Sequence, residues 1–425
     1  MSGYTLISCI GTGMYKKEGG YRQTTYRFPN DGEEYKTSLF LEAILRTEYR
    51  PIKKVILVGT CTSSWDMLID DPYNNQDLFY KIHIECGDKE KGISPDSKYK
   101  LEAKLRESYS NIPFKIIAHT DKLDQENVEG VFSDYGKISD YLEPNTDILF
   151  DISHGFRSMP LLVFQSLQLN AVKMYSRTVE LIYGEYIQDE DISYVRDLSK
   201  YWDYYEISSA IRLFKEKFDG KLLAKKVKPF WESGSNILDR LSEIVECNYS
   251  LQIPEALDQL KDALDNFDNP GKLRWLTDVK GMLAEIFERL RIKQQNEKYP
   301  VAKIVWEFSK LLHNRDLITQ AVIAKQVAAE TAMAEKLDPS KIGDYDWFRS
   351  NNPSSLGLKE NGYQQLRGIR QNNQKLRILG HLEYLRNQVA HGGKKKENED
   401  YNQEYIKGKL KPIDNAIREL FTVLG

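Results

Sequence analysis

The chain has 425 residues, with 60 Lys and Arg against 63 Asp and Glu and a net charge of −3. A composition of 41% hydrophobic and 29% charged residues belongs to a folded globular protein and excludes disordered and collagen-like classes. The near-neutral balance excludes a uniformly basic nucleic-acid coat. The length suggests two or three domains. Charge divides along the chain: residues 1–200 carry 24 Lys and Arg against 31 Asp and Glu, and residues 201–425 carry 36 against 32.

Cys9, Cys61, Cys86 and Cys247 lie far apart with no C-x-x-C, which fits neither a disulfide framework nor a zinc finger. A reducing cytoplasm is the expected location. Met1-Ser2-Gly3-Tyr4 lacks the charged segment and long apolar run of a signal peptide. No apolar stretch reaches the ~18 residues of a membrane span.

Five short apolar runs mark strands in the front half: Thr5–Ile10, Val55–Val58, Phe114–Ile117, Ile148–Ile152 and Val179–Tyr183. Their Ile, Val, Leu and Phe content suits strands buried on both faces. Helical stripes lie between them, one from Leu39, Phe40, Ala43 and Ile44 and another from Val131, Tyr135, Ile138 and Leu142. Alternating strands and helices predict a mostly parallel sheet covered on both faces.

Three of these strands run into polar turns. The first run ends in Gly11-Thr12-Gly13. The second leads into Gly59-Thr60-Cys61-Thr62-Ser63-Ser64, and the fourth into Ser153-His154-Gly155-Phe156-Arg157-Ser158. Ligands of open α/β sheets bind outside the carboxyl ends of the strands. Glycines let backbone N–H groups approach phosphate oxygens, and Arg157 can fork onto a phosphate. Ser158-Met159-Pro160 predicts a helix start, with Ser158 as N-cap and Pro160 in the first turn. The plainer alternative is a capped strand–helix connection with a solvated arginine. Gly11-x-Gly13 is followed by Lys16 where a dinucleotide fingerprint needs its third glycine, and no P-loop occurs.

From about Asp197 strand alternation fades and helices are predicted. Ile207, Ala210, Ile211 and Phe214 give the first, followed by Ile237–Cys247, Ala256–Phe267, Leu273–Ile292, Val301–Leu312 and Gln320–Leu337. The last helix of the chain carries Ile413, Ile417, Leu420, Phe421 and Leu424 on one stripe. Loops are expected at Asp268–Gly271 and from Asp338 to Gly362, and Lys394–Asp400 is a charged connector.

Arg386-Asn387-Gln388-Val389-Ala390-His391 closes a predicted helix, with Gly392-Gly393 as its stop. An arginine, an amide and an imidazole form a usable set for phosphodiester chemistry. Arg386 can hold phosphoryl oxygens bidentately, and His391, with a reference pKa of ~6.5, can move a proton near neutrality. Asn387 lies four residues before His391 and shares its face. Arg386 and His391 are five apart and point about 140° apart on one helix. Two copies across a two-fold axis would present such pairs better than one. The plainer alternative is a helix-end histidine beside a surface arginine. His83 and His119 form no metal-ligand spacing.

Asp151-Ile152-Ser153-His154-Gly155-Phe156-Arg157-Ser158-Met159-Pro160 resembles the Asp-x-Thr-His-Gly-Phe-Arg segment of CRISPR-associated CARF (Rossmann-fold) proteins, with Ser153 in place of the usual Thr. Ile10-Gly11-Thr12-Gly13 with Tyr21–Tyr26 is similar to that family's opening strand and hairpin-like insert, and Ser64-Trp65 also fits. Arg386–His391 resembles the Arg-x-x-x-x-His motif of HEPN ribonucleases. The resemblance implies an α/β Rossmann-like CARF domain over 1–197 and an all-α HEPN domain over 198–425. It implies a type III CRISPR antiviral ribonuclease that a cyclic oligoadenylate activates. Such a protein works as a symmetric dimer and cuts single-stranded RNA without a metal ion or other cofactor, leaving a 2′,3′-cyclic phosphate. By position, Gly11, Thr12, Gly13, Thr60, Ser63, His154, Gly155, Arg157 and Ser158 become activator-site candidates. Arg386, Asn387 and His391 become catalytic candidates. Two alternatives stay open: a ligand-responsive regulator with a non-catalytic helical half, and a ring nuclease that degrades its own activator.

Overall fold

The computed structural model describes residues 3–13, 15–16, 20–29, 33–69, 74–120, 128–143, 146–155, 158–174, 178–269, 271–291, 298–350, 361–390 and 403–425. The chain forms two compact units, 1–205 and 206–425.

The front unit is built on an eight-stranded sheet. Its strands are β1 (Tyr4–Ile10), β4 (Thr24–Arg27), β5 (Glu34–Thr37), β6 (Ile52–Thr60), β7 (Phe114–His119), β8 (Asp147–Asp151), β9 (Val179–Ile187) and β10 (Ile192–Asp197). The short pair β2 (Tyr15–Lys16) and β3 (Gly20–Tyr21) forms a separate antiparallel hairpin. The sheet order is β5-β4-β10-β9-β8-β1-β6-β7. The five strands expected from the apolar runs are its parallel centre, β7-β6-β1-β8-β9. Numbered by appearance they run 3-2-1-4-5, the doubly wound order whose direction reverses between β1 and β8. β10 joins β9 antiparallel, β4 lies parallel to β10, and β5 closes that edge antiparallel to β4.

Side chains of successive strand residues go to opposite faces. Leu6, Ile10, Val55 and Leu57 face a core shared with α1 (Phe40–Arg46), α2 (Gln76–Gly87) and α3 (Pro95–Ser108). Ile7, Cys9, Ile56 and Val58 face the other core. That core is shared with α4 (Val128–Gly136), α5 (Ile138–Tyr141), α6 (Ser158–Met174) and Trp202 of α7 (Lys200–Lys217). The two expected stripes fall on α1 and on α4–α5, the second broken where α4 ends at Gly136. α6 begins at Ser158, with Pro160 in its first turn.

The back unit is helical. After α7 come α8 (Lys221–Val227), α9 (Glu232–Glu246), α10 (Ile253–Asp265), α11 (Arg274–Leu290), α12 (Pro300–His313) and α13 (Ile318–Leu337). α14 (Tyr345–Phe348), α15 (Gly362–Asn372), α16 (Leu379–Ala390) and α17 (Gln403–Leu424) complete it. α14 lies within the expected Asp338–Gly362 loop, because Trp347 and Phe348 find a place in the core. α13 is the central element. Its alanines are buried on all sides, as expected of a helix with no solvent face. It also buries Lys325, whose ammonium pairs with Asp414 of α17 and lies 3.3 Å from the Ser309 hydroxyl of α12. Trp306 Nε1 donates to the same carboxylate at 2.9 Å. Burial pushes the Lys325 pKa down, against the Asp414 charge.

Candidate functional site at the switch point

β1 and β8 run side by side, Ser8 opposite Asp151, where the strand order reverses. A cavity of about 280 Å³ opens at their carboxyl ends. Gly11, Thr12 and Gly13 line it from β1, and Ser153, His154 and Gly155 line it from β8. Two glycines let the loops meet. A Cβ on Gly11 would lie 2.8 Å from the Gly155 amide nitrogen. Gly155 itself has φ +104°, and its own Cβ would crowd Met159 Sδ at 3.1 Å.

Hydroxyls fix the loops from behind. Ser63 Oγ donates to the Ile10 carbonyl at 2.7 Å and accepts the Thr60 N–H at 2.9 Å. Ser64 Oγ accepts the Gly13 N–H at 2.8 Å. Thr60 and Ser63, expected at the ligand surface, are instead buried, and neither lines the cavity. The turn after β6 doubles back under Trp65, whose indole N–H reaches the Thr60 carbonyl at 2.9 Å. Their hydroxyls are consumed in closing that turn. Ser158 is half-buried at the start of α6 and also does not line the cavity. Arg157, with Phe156, lies outside the described residues.

Asp151 and His154 anchor the β8 loop. The Asp151 carboxyl is buried; it accepts the Ser8 hydroxyl at 2.6 Å and the Ser153 N–H at 2.8 Å. Ser153 Oγ in turn accepts the Gly184 N–H of β9 at 2.7 Å. His154 Nε2 lies 3.4 Å from the Phe40 N–H, at the start of α1, and 3.3 Å from the Tyr26 hydroxyl. An Nε2 that accepts this N–H is unprotonated. Burial pushes the imidazole pKa down and the Asp151 carboxyl pKa up. His154 thus ties the β8 loop to α1 and β4 and brings no positive charge to the rim.

Residues outside the two loops complete the wall. Tyr21 donates to both carboxylate oxygens of buried Asp66 at 2.9 Å, and His83 Nδ1 lies 2.7 Å from Asp66 Oδ2. Burial and the Asp66 charge hold the phenol far above its ordinary pKa, so Tyr21 is a fixed wall and not a base. Arg22 supplies positive charge. Its guanidinium lies 4.3 Å from the Tyr186 ring centroid and 3.3 Å from Asp191 Oδ1. Both partners of that ion pair are exposed, and such pairs hold weakly. An anion in the cavity can take Asp191's place. Ser38 and Met67 add to the lining. In the sequence, only the Tyr21–Tyr26 stretch signals this part of the wall.

The second set of candidates lies on α16. Leu382 and Leu385 bury its inner face. Glu383 fixes its orientation, accepting from Tyr363 at 3.1 Å and pairing with Arg349 at 3.4 Å and Arg370 at 3.7 Å. Arg386 is half-buried and Asn387 exposed; Arg386 Nη1 donates to Asn387 Oδ1 at 2.9 Å, so the two groups hold each other. His391 lies outside the described residues. Among the described residues no group of His, Cys, Asp and Glu is placed to hold a metal ion, and no helix is long and apolar enough to cross a membrane.

Residues 5–188 match the family described as CRISPR system endoribonuclease Csx1, CARF domain. The chain is 21% identical to CRISPR-associated protein MJ1674 of Methanocaldococcus jannaschii over 426 aligned positions. The match covers 94% of this chain and 64% of that protein, so the chain spans under two thirds of its curated relative. Enterococcus italicus Csm6 bound to cyclic hexa-2′-fluoro-hexa-dAMP matches over 100% of this chain and 94% of its own, at 14% identity and a TM-score of 0.36.

Proposed function

We propose that this chain, whose residues 5–188 match a CARF domain family, is a type III CRISPR effector, a single-stranded-RNA endoribonuclease switched on by a cyclic oligoadenylate. The observation that carries this reading is the switch-point cavity inside a CARF domain. Its glycine-lined loops admit a phosphate backbone closely, Arg22 offers an exchangeable cation, and α6 opens beside it with its positive end. The ligand-contacting set is Gly11, Thr12, Gly13, Arg22, Ser153 and Gly155, with Arg157 joining from the β8–α6 connection. Thr60, Ser63 and His154 shape the loops.

A cyclic ligand with two-fold symmetry meets the same rim from each of two protomers, so the working form is a homodimer. Activation requires the ligand to bind the cleaving arrangement more tightly than the resting one. The back unit acts as a HEPN domain through its Arg386–His391 motif; the name of the family that residues 5–188 match, an endoribonuclease, supports the activity. The RNA 2′-oxygen attacks the adjacent phosphorus while the bond to the 5′-oxygen breaks. The 2′-hydroxyl proton leaves to a base and the departing 5′-oxygen takes one up, leaving a 2′,3′-cyclic phosphate and a 5′-hydroxyl. Arg386 releases Asn387 and forks onto the phosphoryl oxygens, where negative charge concentrates. His391 moves a proton, and Asn387 orients it. The cytoplasm is where activator and transcript meet.

The test is cleavage of a labelled single-stranded RNA by the full chain with a panel of cyclic oligoadenylates of different ring size. One ring size raises the rate, and His391→Ala abolishes cleavage while ligand binding persists. A His391→Ala chain that cuts as fast as the parent overturns the assignment.

A further inference from the structure

The back unit contains a second charged cavity, away from the α16 motif in sequence and in core. It has a volume of about 280 Å³ and lies among α7, α11 and the end of α12. Leu311 and Ile286 form its apolar floor, and its charged lining is Lys215, Arg289, Arg315 and a single carboxylate, Glu285. Three cations against one anion leave it positive.

Arg315 is what distinguishes this cavity from an ordinary charged surface. Its side chain is half-buried, and its guanidinium lies 4.3 Å over the Phe218 ring centroid. Nε donates to the Lys215 carbonyl at 2.8 Å and Nη1 to the Leu311 carbonyl at 3.3 Å. Main-chain carbonyls orient the fork but do not neutralise it, and no carboxylate pairs with it among the described residues. Most other arginines of this unit do have such a partner, as in Arg212–Glu216, Arg240–Glu243 and Arg349–Glu330. Burial, and then the nearby charge of Arg289, push the Arg315 pKa down, against the opposing charge of Glu285. A planar fork fixed in place beside a second one matches the oxygens of a phosphate, which take bidentate donors.

We propose that the Arg289–Arg315 cavity binds a phosphate oxyanion, a backbone phosphate of the single-stranded RNA that the back unit handles. The choice of RNA rests on the function proposed above; the phosphate chemistry rests on the cavity alone. Each phosphate that a protein neutralises adds about 0.7 to the slope of log K against log salt for single strands. The subsite therefore contributes affinity without reading sequence.

The experiment measures binding of the full chain to a 2′-O-methylated single-stranded oligonucleotide, which lacks the nucleophile and stays intact. Fluorescence anisotropy is followed across a salt series for the parent, Arg289→Ala, Arg315→Lys and Glu285→Gln. Arg289 is exposed, so its truncation leaves the fold intact. Arg289→Ala weakens binding by about tenfold, the cost of one charge-assisted hydrogen-bonding group, and lowers the salt slope by about 0.7. Arg315→Lys keeps the charge, so the slope stays while affinity falls. Glu285→Gln tightens binding. A second arm compares the melting temperature in inorganic phosphate with that in chloride at equal ionic strength. Phosphate raises it for the parent, and Arg289→Ala removes the rise. Unchanged affinity and slope in Arg289→Ala, with no phosphate-specific rise in the parent, overturn the proposal even if the parent cleaves RNA. A parent that cleaves no RNA but shows the Arg289-dependent phosphate rise overturns the ribonuclease reading and leaves the subsite standing.

Discussion

The rim of the front sheet and the tip of α16 use their polar groups in opposite ways. At the rim, hydroxyls, carboxyl and imidazole are bonded inward. Ser63 closes onto β1, Asp151 takes Ser8 and Ser153, and His154 takes the Phe40 N–H. What the loops leave for a ligand is shape, backbone and one exposed arginine. At the α16 tip the helix below is locked by Glu383, while among the described residues Arg386 is held by its neighbour Asn387. The first region is a mould completed by folding. The second, under the proposed function, is a pair of groups that must change partner to work. Substitutions should therefore separate the two, with stability lost at the rim and rate lost at the tip.

The largest separation is expected from Arg386→Ala. Removing a donor to a developing oxyanion costs on the order of 10²–10³ in rate. Among the described residues Arg386 ties α16 to no other element, so the melting temperature and the affinity for the cyclic ligand stay at parent values. Single-turnover RNA cleavage beside a thermal melt checks this. A variant that melts early and still cleaves would invert the contrast between the two regions.

Gly155→Ala is the matching change at the rim. At φ +104° an alanine is strained, at a cost of about 1–3 kcal/mol. Its methyl also meets Met159 Sδ at 3.1 Å and Cys9 Cβ at 3.2 Å. The front unit should unfold at lower urea concentration, and the ligand needed for half-maximal activation should rise. The uninduced cleavage rate should not move. Urea titration paired with an activator dose–response curve reads both.

How far the sequence carried these assignments depends on burial. β1 and β6 to β9 were legible because strands covered on both faces must be continuous apolar runs. β4, with its alternating burial, and β10 near the sheet edge carry Thr, Arg, Ser and Tyr, and such strands leave a weaker trace. α3 announces itself only through Ser94-Pro95, where Ser94 caps the Ser97 N–H; its stripe is reduced to Leu101 and Leu105. At the site, Gly11-Thr12-Gly13 and His154-Gly155 line the cavity, because a strand's end places the next residues at the rim. Thr60 and Ser63 share that local signal, yet their loop turns inward under Trp65, and only tertiary packing decides this. Tyr21, Ser38 and Met67 reach the cavity from separate connections, a convergence that no local pattern encodes. Lys325 is likewise invisible in an alanine-rich helix until Asp414, 89 residues away, meets it.

The smallest effect, and the one that tests the mould most finely, is its response to pH. His154 has a folded pKa below its ordinary value, so near pH 6 the unfolded chain binds more protons than the folded one. Its contribution to stability is complete above about 6.5 and is lost as pH falls toward the folded pKa. Asp151 is raised by burial, so above its ordinary value the folded chain holds the extra proton. Its contribution is present at low pH and declines as pH rises through the folded pKa. The two slopes oppose each other, each at most about 1.4 kcal/mol per pH unit for one proton. Relative to parent, His154→Gln should therefore gain stability as pH falls below about 6.5. Asp151→Asn should gain as pH rises. Urea unfolding of the three chains across pH measures both differences. A ring-proton NMR titration, assigned by the signal missing from His154→Gln, reads the imidazole directly. If His154 titrates above its ordinary value, Nε2 carries a proton in the native chain. The rim would then bring positive charge to its ligand, and the contrast with α16 would rest on shape alone.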